Sequence, residues 1–292
     1  MSDSLQSCVD QLNASNDFQV LKRLQPSRQF HSATNEQKLH RLCVIDTETT
    51  GLDTSECEII ELGYQIIEFD SQGRFYQVVE SKNFLNEPEG EITAEVTKVT
   101  GLTLDDVKGH AIPWQEVEKD IAQVQLCVAH NAGFDRPVVE RYNEVFVSKI
   151  WGCSVQQIAW QDLTGIGSRS QEFLCWKAGQ FFYDAHRALD DVQALSELLS
   201  LQVGNQGKTA FSYLLESVRI SKVMLKATGA PFDVKDDLKK AHYRWNAAER
   251  VWQKMLNESD LEEEKIWLAA HSTPNPTIIK LKANDSFSVR AQ

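Results

Sequence analysis

Residues 42–52 read Leu-Cys-Val-Ile-Asp-Thr-Glu-Thr-Thr-Gly-Leu, and this stretch decides how the chain is interpreted. Its first four residues are apolar, which predicts a buried strand. Because alternate side chains of a strand share one face, Asp46 and Glu48 should point in the same direction. Two buried like charges are costly unless a cation lies between them, so the pair indicates a divalent-metal site. This stretch alone leaves open the alternative of two solvated acids at a strand end.

Two later segments add acidic residues in comparable settings. The sequence AHNAGFD at 129–135 follows an apolar run and leads into a helix predicted for 137–146, which places Asp135 near the start of that helix. The sequence HRALDDV at 186–192 opens a helix predicted to end near Leu201. Together with the first stretch, these segments predict a cluster of carboxylates contributed by three separate parts of the chain.

The helical period separates the two aspartates of the third segment. Asp191 precedes Leu195 by four residues and Leu198 by seven, which predicts that it lies on the buried face. Asp190 aligns with Ala194, on the face predicted to be polar. A buried carboxylate without a partner requires a cation, so Asp191 is the predicted metal ligand and Asp190 a solvated or neighbouring acid.

In order and residue type, the three segments resemble the motifs of the DEDD superfamily of 3′–5′ exonucleases. They are most similar to its histidine-containing branch, which includes the epsilon proofreading subunit of bacterial DNA polymerase III. The resemblance covers roughly residues 40–202. It implies an α/β, ribonuclease-H-like fold, a mixed sheet flanked by helices. The strands predicted at 42–48, 59–69 and 74–80, followed by alternating helices and strands, agree with that fold.

The resemblance also implies residue roles. Asp46, Glu48, Asp135 and Asp191 would hold two Mg²⁺ or Mn²⁺ ions, which are hard cations that prefer oxygen ligands. His186 would be the general base, since an unperturbed imidazole titrates near neutrality. The implied activity is hydrolysis of a nucleic acid with a free 3′ end, DNA in preference to RNA, to nucleoside 5′-monophosphates.

Four further positions match residues that contact the terminal nucleotide in the family. Thr49 and Leu52 match positions that touch the sugar and the last base, although both could simply close the turn. Glu95 and Thr100 match a glutamate and a histidine five residues apart. The histidine is missing here, which puts a contact with the base at Thr100 in doubt.

Composition sets outer limits on the interpretation. No run of 18 apolar residues occurs, the first residues carry no secretory signal, and the six cysteines form no metal-binding spacing. We therefore expect a cytoplasmic protein with no membrane association. The net charge of −12 is unusual for a nucleic-acid enzyme. It is uneven, since residues 208–292 hold 14 Lys and Arg against 11 Asp and Glu.

The chain is predicted to comprise a helical extension at 1–40, an exonuclease domain at 41–203, a linker at 204–207 and a small α+β module at 208–292. Within the module, basic residues accompany Tyr243, Trp245 and Trp252 in a predicted hairpin. These aromatics either form the hairpin core or stack on single-stranded bases, in which case the module helps to hold nucleic acid.

Two rival functions remain at this point. One is a 3′–5′ exoribonuclease that trims RNA, because nothing in the motifs reads a 2′-hydroxyl. The other is a non-catalytic nucleic-acid-binding or polymerase-accessory protein. The intact set of carboxylates and histidine argues against the second, and the sequence identifies no polymerase or repair partner.

Overall fold

A computed structural model describes residues 3–34 and 37–291, which divide into two compact units at the Leu215/Glu216 boundary. The strands of the first unit are β1 (Lys22–Arg23), β2 (His40–Thr49), β3 (Ile59–Phe69), β4 (Phe75–Leu85), β5 (Leu126–Ala129), β6 (Ile150–Cys153), β7 (Phe181–Phe182), β8 (Gln202–Val203) and β9 (Lys208–Thr209). Its helices are α1 (Asp3–Asn13), α2 (Ala94–Thr100), α3 (Leu104–Val107), α4 (Trp114–Ala122), α5 (Ala132–Tyr142), α6 (Ser154–Gln157), α7 (Trp160–Thr164), α8 (Gln171–Leu174), α9 (Ala188–Ser200) and α10 (Ala210–Arg219), which continues across the boundary.

The first unit is built on a five-stranded mixed sheet in the order β4-β3-β2-β5-β6. Strands β2, β3 and β4 pair antiparallel, whereas β5 and β6 run parallel to β2. The apolar start of β2, Leu42–Ile45, is fully buried at the centre of the sheet. This arrangement confirms the predicted ribonuclease-H-like fold class, and it sends the acidic end of β2 out of the core.

Helix α9 covers the sheet and brings the third motif to the end of β2. It packs against β3 and β2 through Val192, Leu195 and Leu198, all buried. Ala194 is also fully buried, so the prediction that it lies on a polar face was wrong. More of the circumference of α9 is buried than a helix with one apolar and one polar face would bury, since Ala188, Ala194 and Ser196 are buried as well.

The N-terminal segment differs from its predicted form. The predicted helical extension at 1–40 contains α1, but Lys22–Arg23 pairs in parallel with β7. Residues 28–31 of the extension lie along β4: Gln29 bridges to Gln77, and the Phe30 ring packs on Phe75 at 5.5 Å. Asn35 and Glu36 of that segment fall outside the described residues.

The predicted linker at 204–207 is the turn of a short hairpin formed by β8 and β9. Thr209 then caps α10, since its hydroxyl accepts a hydrogen bond from the backbone N–H of Ser212 at 3.0 Å. Phe211, at the start of α10, is fully buried against Phe69 and Phe75, with ring centroids 5.1 and 4.8 Å apart. The residues just after the turn therefore complete the core of the first unit.

The second unit has its own sheet and core. Its elements are β10 (Lys222–Lys226), α11 (Lys235–Lys240), β11 (Arg244–Asn246), β12 (Val251–Asn257), α12 (Leu261–Ala270) and β13 (Thr277–Lys280), with sheet order β11-β12-β10-β13. The predicted hairpin is present, with Trp245 directly opposite Trp252. Tyr243 is only 3% exposed and belongs to the core, which removes it as a stacking residue.

Candidate metal centre

Three of the predicted ligands converge at the end of β2. One carboxylate oxygen from each of Asp46, Glu48 and Asp191 lies within 4.8 Å of the other two. Asp46 and Glu48 share a face of β2, as the alternation of the strand requires. Asp191 comes from the first turn of α9. Asp190 is on the same turn, but it is not among the residues that line the cleft around these three carboxylates.

Asp135 is the fourth carboxylate, and it is held by the strand itself. Its Oδ1 accepts hydrogen bonds from the backbone N–H of Thr47 at 3.1 Å and from the Thr47 hydroxyl at 2.9 Å. Asp135 is only 3% exposed and lies in the first turn of α5, which begins at Ala132 rather than at the predicted Pro137. All four carboxylates line one open cleft of about 420 Å³.

The carboxylates of the cleft repel one another and would be stabilised by a cation. Burial, followed by repulsion from the other carboxylates, raises the pKa of Asp46 well above its ordinary value. Burial and the same repulsion raise the pKa of Glu48 to about 8. Burial raises the pKa of Asp135 to about 7, although the hydrogen bonds from Thr47 oppose it. Burial and mutual repulsion disfavour the ionised form of these carboxylates. A hard divalent cation such as Mg²⁺ or Mn²⁺, which prefers oxygen ligands, would stabilise that form.

Asp191 is fixed by a shell of hydrogen bonds that sequence reasoning missed. The Tyr183 hydroxyl donates to its Oδ1 at 2.7 Å, and the Gln171 side-chain amide donates to the same oxygen at 3.1 Å. The backbone N–H of His186 donates to Oδ2 at 2.7 Å. Gln171 and Tyr183 lie in a stretch of short helices and turns, where no periodic pattern marks them.

His186 lines the cleft and is exposed. Its φ of +67° is in the left-handed region, which is uncommon for a residue with a side chain. The backbone bond from His186 to Asp191 holds this conformation directly before α9. His186 is thus exposed in the same cleft as the carboxylate cluster.

A buried ion pair anchors the start of α9. Glu61 of β3 is fully buried and accepts hydrogen bonds from the Arg187 guanidinium at 2.7 Å and from the backbone N–H of Ala188 at 3.0 Å. Burial alone would raise the pKa of Glu61, but bonds from Arg187, Asn83 and Ala188 outweigh it and lower that pKa. Arg187, whose charge lowers the pKa of Glu48, is therefore already paired with a different carboxylate.

Gly63 allows α9 to approach β3 closely. A Cβ atom at this position would lie 2.5 Å from the backbone carbonyl carbon of Ala188 and 2.5 Å from the backbone nitrogen of Leu189. Real side chains do not tolerate such distances, so only glycine permits the first turn of α9 to rest on the strand. The close approach brings Asp191 to the end of β2.

The residues predicted to contact the terminal nucleotide are placed unequally. Leu52 lines the cleft and is 89% exposed, as expected of a side chain that meets a substrate. Thr49 is buried, and its hydroxyl donates to the backbone oxygen of Gly51 at 2.7 Å. Glu95 is exposed on α2, and the Thr100 hydroxyl donates to the backbone oxygen of Val96 within that helix. Thr49, Glu95 and Thr100 are not among the residues that line the cleft.

His130, also at the cleft, is held as a structural residue. Its ring nitrogens lie 2.7 Å from the Ser154 hydroxyl and 2.8 Å from the backbone oxygen of Arg169. Burial lowers its pKa to about 4, so the ring is neutral at physiological pH. It secures the loop that precedes α8, and through α8 the position of Gln171.

A known protein family matches the part of the chain that contains this cleft. Residues 43–199 match the RNase T family model, described as Exonuclease, and this match covers more than half of the chain. The chain belongs to this exonuclease family. The matched range contains all four carboxylates and His186.

Individual relatives are named as DNA polymerase III proteins. DNA polymerase III subunit epsilon of Treponema pallidum is 30% identical over 174 residues, which are 56% of this chain and 76% of the relative. DNA polymerase III PolC-type of Thermotoga maritima is 26% identical over 221 residues, which are 73% of this chain and 15% of the relative. The chain therefore spans about one seventh of the length of such PolC-type relatives.

Among solved structures, Exonuclease X in complex with 5′ overhanging duplex DNA is 22% identical, with a TM-score of 0.41, and covers 61% of this chain and 90% of its own. In the described residues, no helix is both long and apolar enough to cross a membrane.

Proposed function

We propose that this protein is a divalent-metal-dependent exonuclease that removes nucleoside 5′-monophosphates from the 3′ end of DNA. The observation that carries the proposal is the cluster of Asp46, Glu48, Asp135 and Asp191 in one cleft, with raised pKa values and no Lys or Arg among the described residues that line it. Bringing four carboxylates together lowers the stability of the folded state, and a bound metal would offset their repulsion. A purely non-catalytic nucleic-acid-binding protein would gain nothing from it.

Each side chain has a role in the proposed reaction. Asp46, Glu48, Asp135 and Asp191 would hold two Mg²⁺ or Mn²⁺ ions, which when bound would supply an activated water and charge compensation for the departing oxygen. Tyr183 and Gln171 orient Asp191.

Proton transfer and substrate placement fall to two residues at the rim of the cleft. His186 accepts the proton of the attacking water at its imidazole, since it is exposed at the edge of the carboxylate cluster. Leu52 packs against the terminal base.

The relatives favour DNA over RNA, because the matched proteins are named as DNA polymerase III components. On the same ground, we propose a proofreading or repair role beside a DNA polymerase. The sequence contains no residue pattern that identifies the polymerase, so this partner rests on the names of the relatives alone.

The decisive experiment is a nuclease assay on 3′- and 5′-labelled DNA and RNA with Mg²⁺, Mn²⁺ or chelator. We expect metal-dependent release of mononucleotides from 3′ ends of DNA, abolished by Asp46→Ala and retained by Asp190→Asn. Faster digestion of RNA than of DNA would replace the substrate proposal with that of an exoribonuclease. Full turnover in excess chelator, or by Asp46→Ala, would refute metal-dependent hydrolysis at this cleft.

A further inference from the structure

The second unit contains a cleft whose lining differs in kind from that of the metal centre. The cleft has a volume of about 630 Å³ and lies between α11 and the β11–β12 hairpin, above the small residues 229–231. The residues that line it include three aromatic side chains and three cationic ones: Phe232, Trp245, Trp252, Lys235, Lys239 and Arg250. No acidic side chain is among the described residues that line it.

The aromatic groups expose ring surface instead of filling the core. Phe232 is 76% exposed and Trp245 is 50% exposed, although both are large apolar residues. Trp245 meets Trp252 edge to face, with ring centroids 5.5 Å apart and an interplanar angle of 60°. Trp252 packs on the core beneath, so it supports Trp245 from one side and leaves the other face open. Exposed aromatic faces at one cleft mark a binding site.

The cations are arranged around these rings. The Lys235 ammonium lies 4.0 Å from the centroid of Phe232, and that of Lys239 lies 5.9 Å from the centroid of Trp252. Neither Lys235 nor Arg250 forms an ion pair with any described residue. Lys239 is 3.9 Å from Asp236, and both side chains are mostly exposed.

The neighbouring acid of the hairpin does not neutralise the cleft. Glu249 precedes Arg250 but is bonded to Lys226 on β10. Arg250 itself has a φ of +54°, in the left-handed region, at the turn that closes the hairpin. Positive charge is thereby kept at the cleft in a chain whose net charge is −12.

We infer that this cleft binds single-stranded nucleic acid, with a base stacked on Phe232 or Trp245 and phosphates held by Lys235, Lys239 and Arg250. Every base has a π-face, so stacking of this kind is tolerant of sequence, and cations beside the rings neutralise the backbone. An acidic peptide would use the cations but leave the exposed ring faces without a partner. The inference rests on the proposed function in one respect: it names the same class of ligand.

The test uses the full-length protein in chelator, so that binding is measured without cleavage. Fluorescence anisotropy reports the affinity for a labelled single-stranded oligonucleotide and for an abasic strand of equal length and charge. Phe232→Ala and Trp245→Ala should each weaken binding of the oligonucleotide by roughly fivefold to 100-fold. Binding of the abasic strand should be nearly unchanged in both variants.

The charge variants should behave differently. Lys235→Ala and Arg250→Ala should weaken binding of both strands and lower the salt slope by about 1 each. Lys240→Ala is the matched control, because Lys240 is on the same helix, is 80% exposed and does not line the cleft. Ile266→Ala, at a residue 72% exposed on α12, controls for loss of an exposed apolar group.

Equal affinity of Phe232→Ala, Trp245→Ala and Ile266→Ala for the oligonucleotide would overturn the inference. Competition by an acidic peptide, with no effect of the aromatic substitutions on oligonucleotide binding, would also overturn it in favour of a protein ligand. The result is independent of turnover: a chain that binds through this cleft yet cleaves nothing would refute the proposed function and leave the inference intact. Active cleavage with no dependence of binding on the cleft would do the reverse.

Discussion

Gly63 lies directly opposite Asp46 in the antiparallel pairing of β2 with β3. The strand position beside the first metal-ligand candidate thus has no side chain, and the backbone of Ala188 occupies the space. This relationship sets the separation between the strand that carries Asp46 and the helix that carries Asp191. Gly63 has no side chain to take part in the reaction, yet it determines the geometry of the carboxylate cluster.

Gly63→Ala should disrupt that geometry. The added Cβ would contact backbone atoms that cannot rotate away, so we expect α9 to shift and the metal affinity and melting temperature to fall together. Gly167→Ala is the control, because a Cβ there meets nothing within 4 Å. Isothermal titration with Mn²⁺ and thermal melting would measure both effects. Wild-type metal affinity in Gly63→Ala would contradict this account of the close approach.

The two adjacent aspartates should differ sharply in importance. Asp191→Asn removes a charged oxygen from the cluster and should reduce nuclease activity as severely as Asp46→Ala. Asp190→Asn should have little effect, because Asp190 does not line the cleft. Rates on a labelled oligonucleotide under single-turnover conditions would separate them. Equal losses would mean that both carboxylates serve the reaction.

Tyr183→Phe should weaken metal binding without removing a ligand. The hydroxyl bonded to Asp191 orients that carboxylate, and loss of such a partner usually costs about 10–100-fold in metal affinity or activity. Excess Mn²⁺ should restore much of the rate, which a general loss of folding would not allow. Tyr213→Phe, in the same unit and away from the cleft lining, should leave the metal dependence unchanged.

The metal-free protein should lose stability as pH rises. The pKa of Glu48 is about 8 in the folded chain and about 4.5 when unfolded, so between these values the folded state holds the additional proton. The contribution of Glu48 to the free energy of unfolding is therefore most favourable below about pH 4.5, and it declines until about pH 8. Glu48→Gln should flatten that decline in chelator. Melting temperatures measured across this range test the prediction, and identical profiles would contradict it.

Truncation should reveal where the first unit ends. A chain that stops after Gly204 loses Phe211, whose burial against Phe69 and Phe75 is worth about 3–5 kcal/mol by analogy with Phe→Ala substitutions. A chain that stops after Arg219 keeps it. We expect the longer fragment to melt at a clearly higher temperature in calorimetry. Equal melting temperatures would place the boundary at the β8–β9 turn.

Local patterns sufficed for much of this protein. The strands predicted at 42–48, 59–69 and 74–80 correspond to β2, β3 and β4, and the alternation of β2 placed Asp46 and Glu48 on one face. The helical period selected Asp191 over Asp190, and Asp191 lies in the cleft with Asp46 and Glu48 whereas Asp190 does not line it, although the same period misjudged the burial of Ala194. In each case the signal lies within a few consecutive residues.

The supporting residues were beyond such reasoning because their partners are distant in the chain. Glu61 and Arg187 are separated by 126 positions, and neither residue type nor spacing links them. Tyr183 and Gln171 reach Asp191 only after short helices and turns have folded together. Helix α10 did carry a local signal, because Thr209 caps it and Phe211, Leu214 and Leu215 are buried at helical spacing.

The outer edge of the sheet is closed by the segment before β2. The backbone N–H of Phe30 donates to the Tyr76 oxygen at 2.8 Å, and that of Val78 donates to the Arg28 oxygen at 2.9 Å. Free groups on an edge strand pair readily with another chain, which is a common origin of aggregation. Residues 28–31 thus cover the edge of β4 around Tyr76–Val78. A chain that begins at Lys38 would expose this edge and should self-associate as its concentration rises.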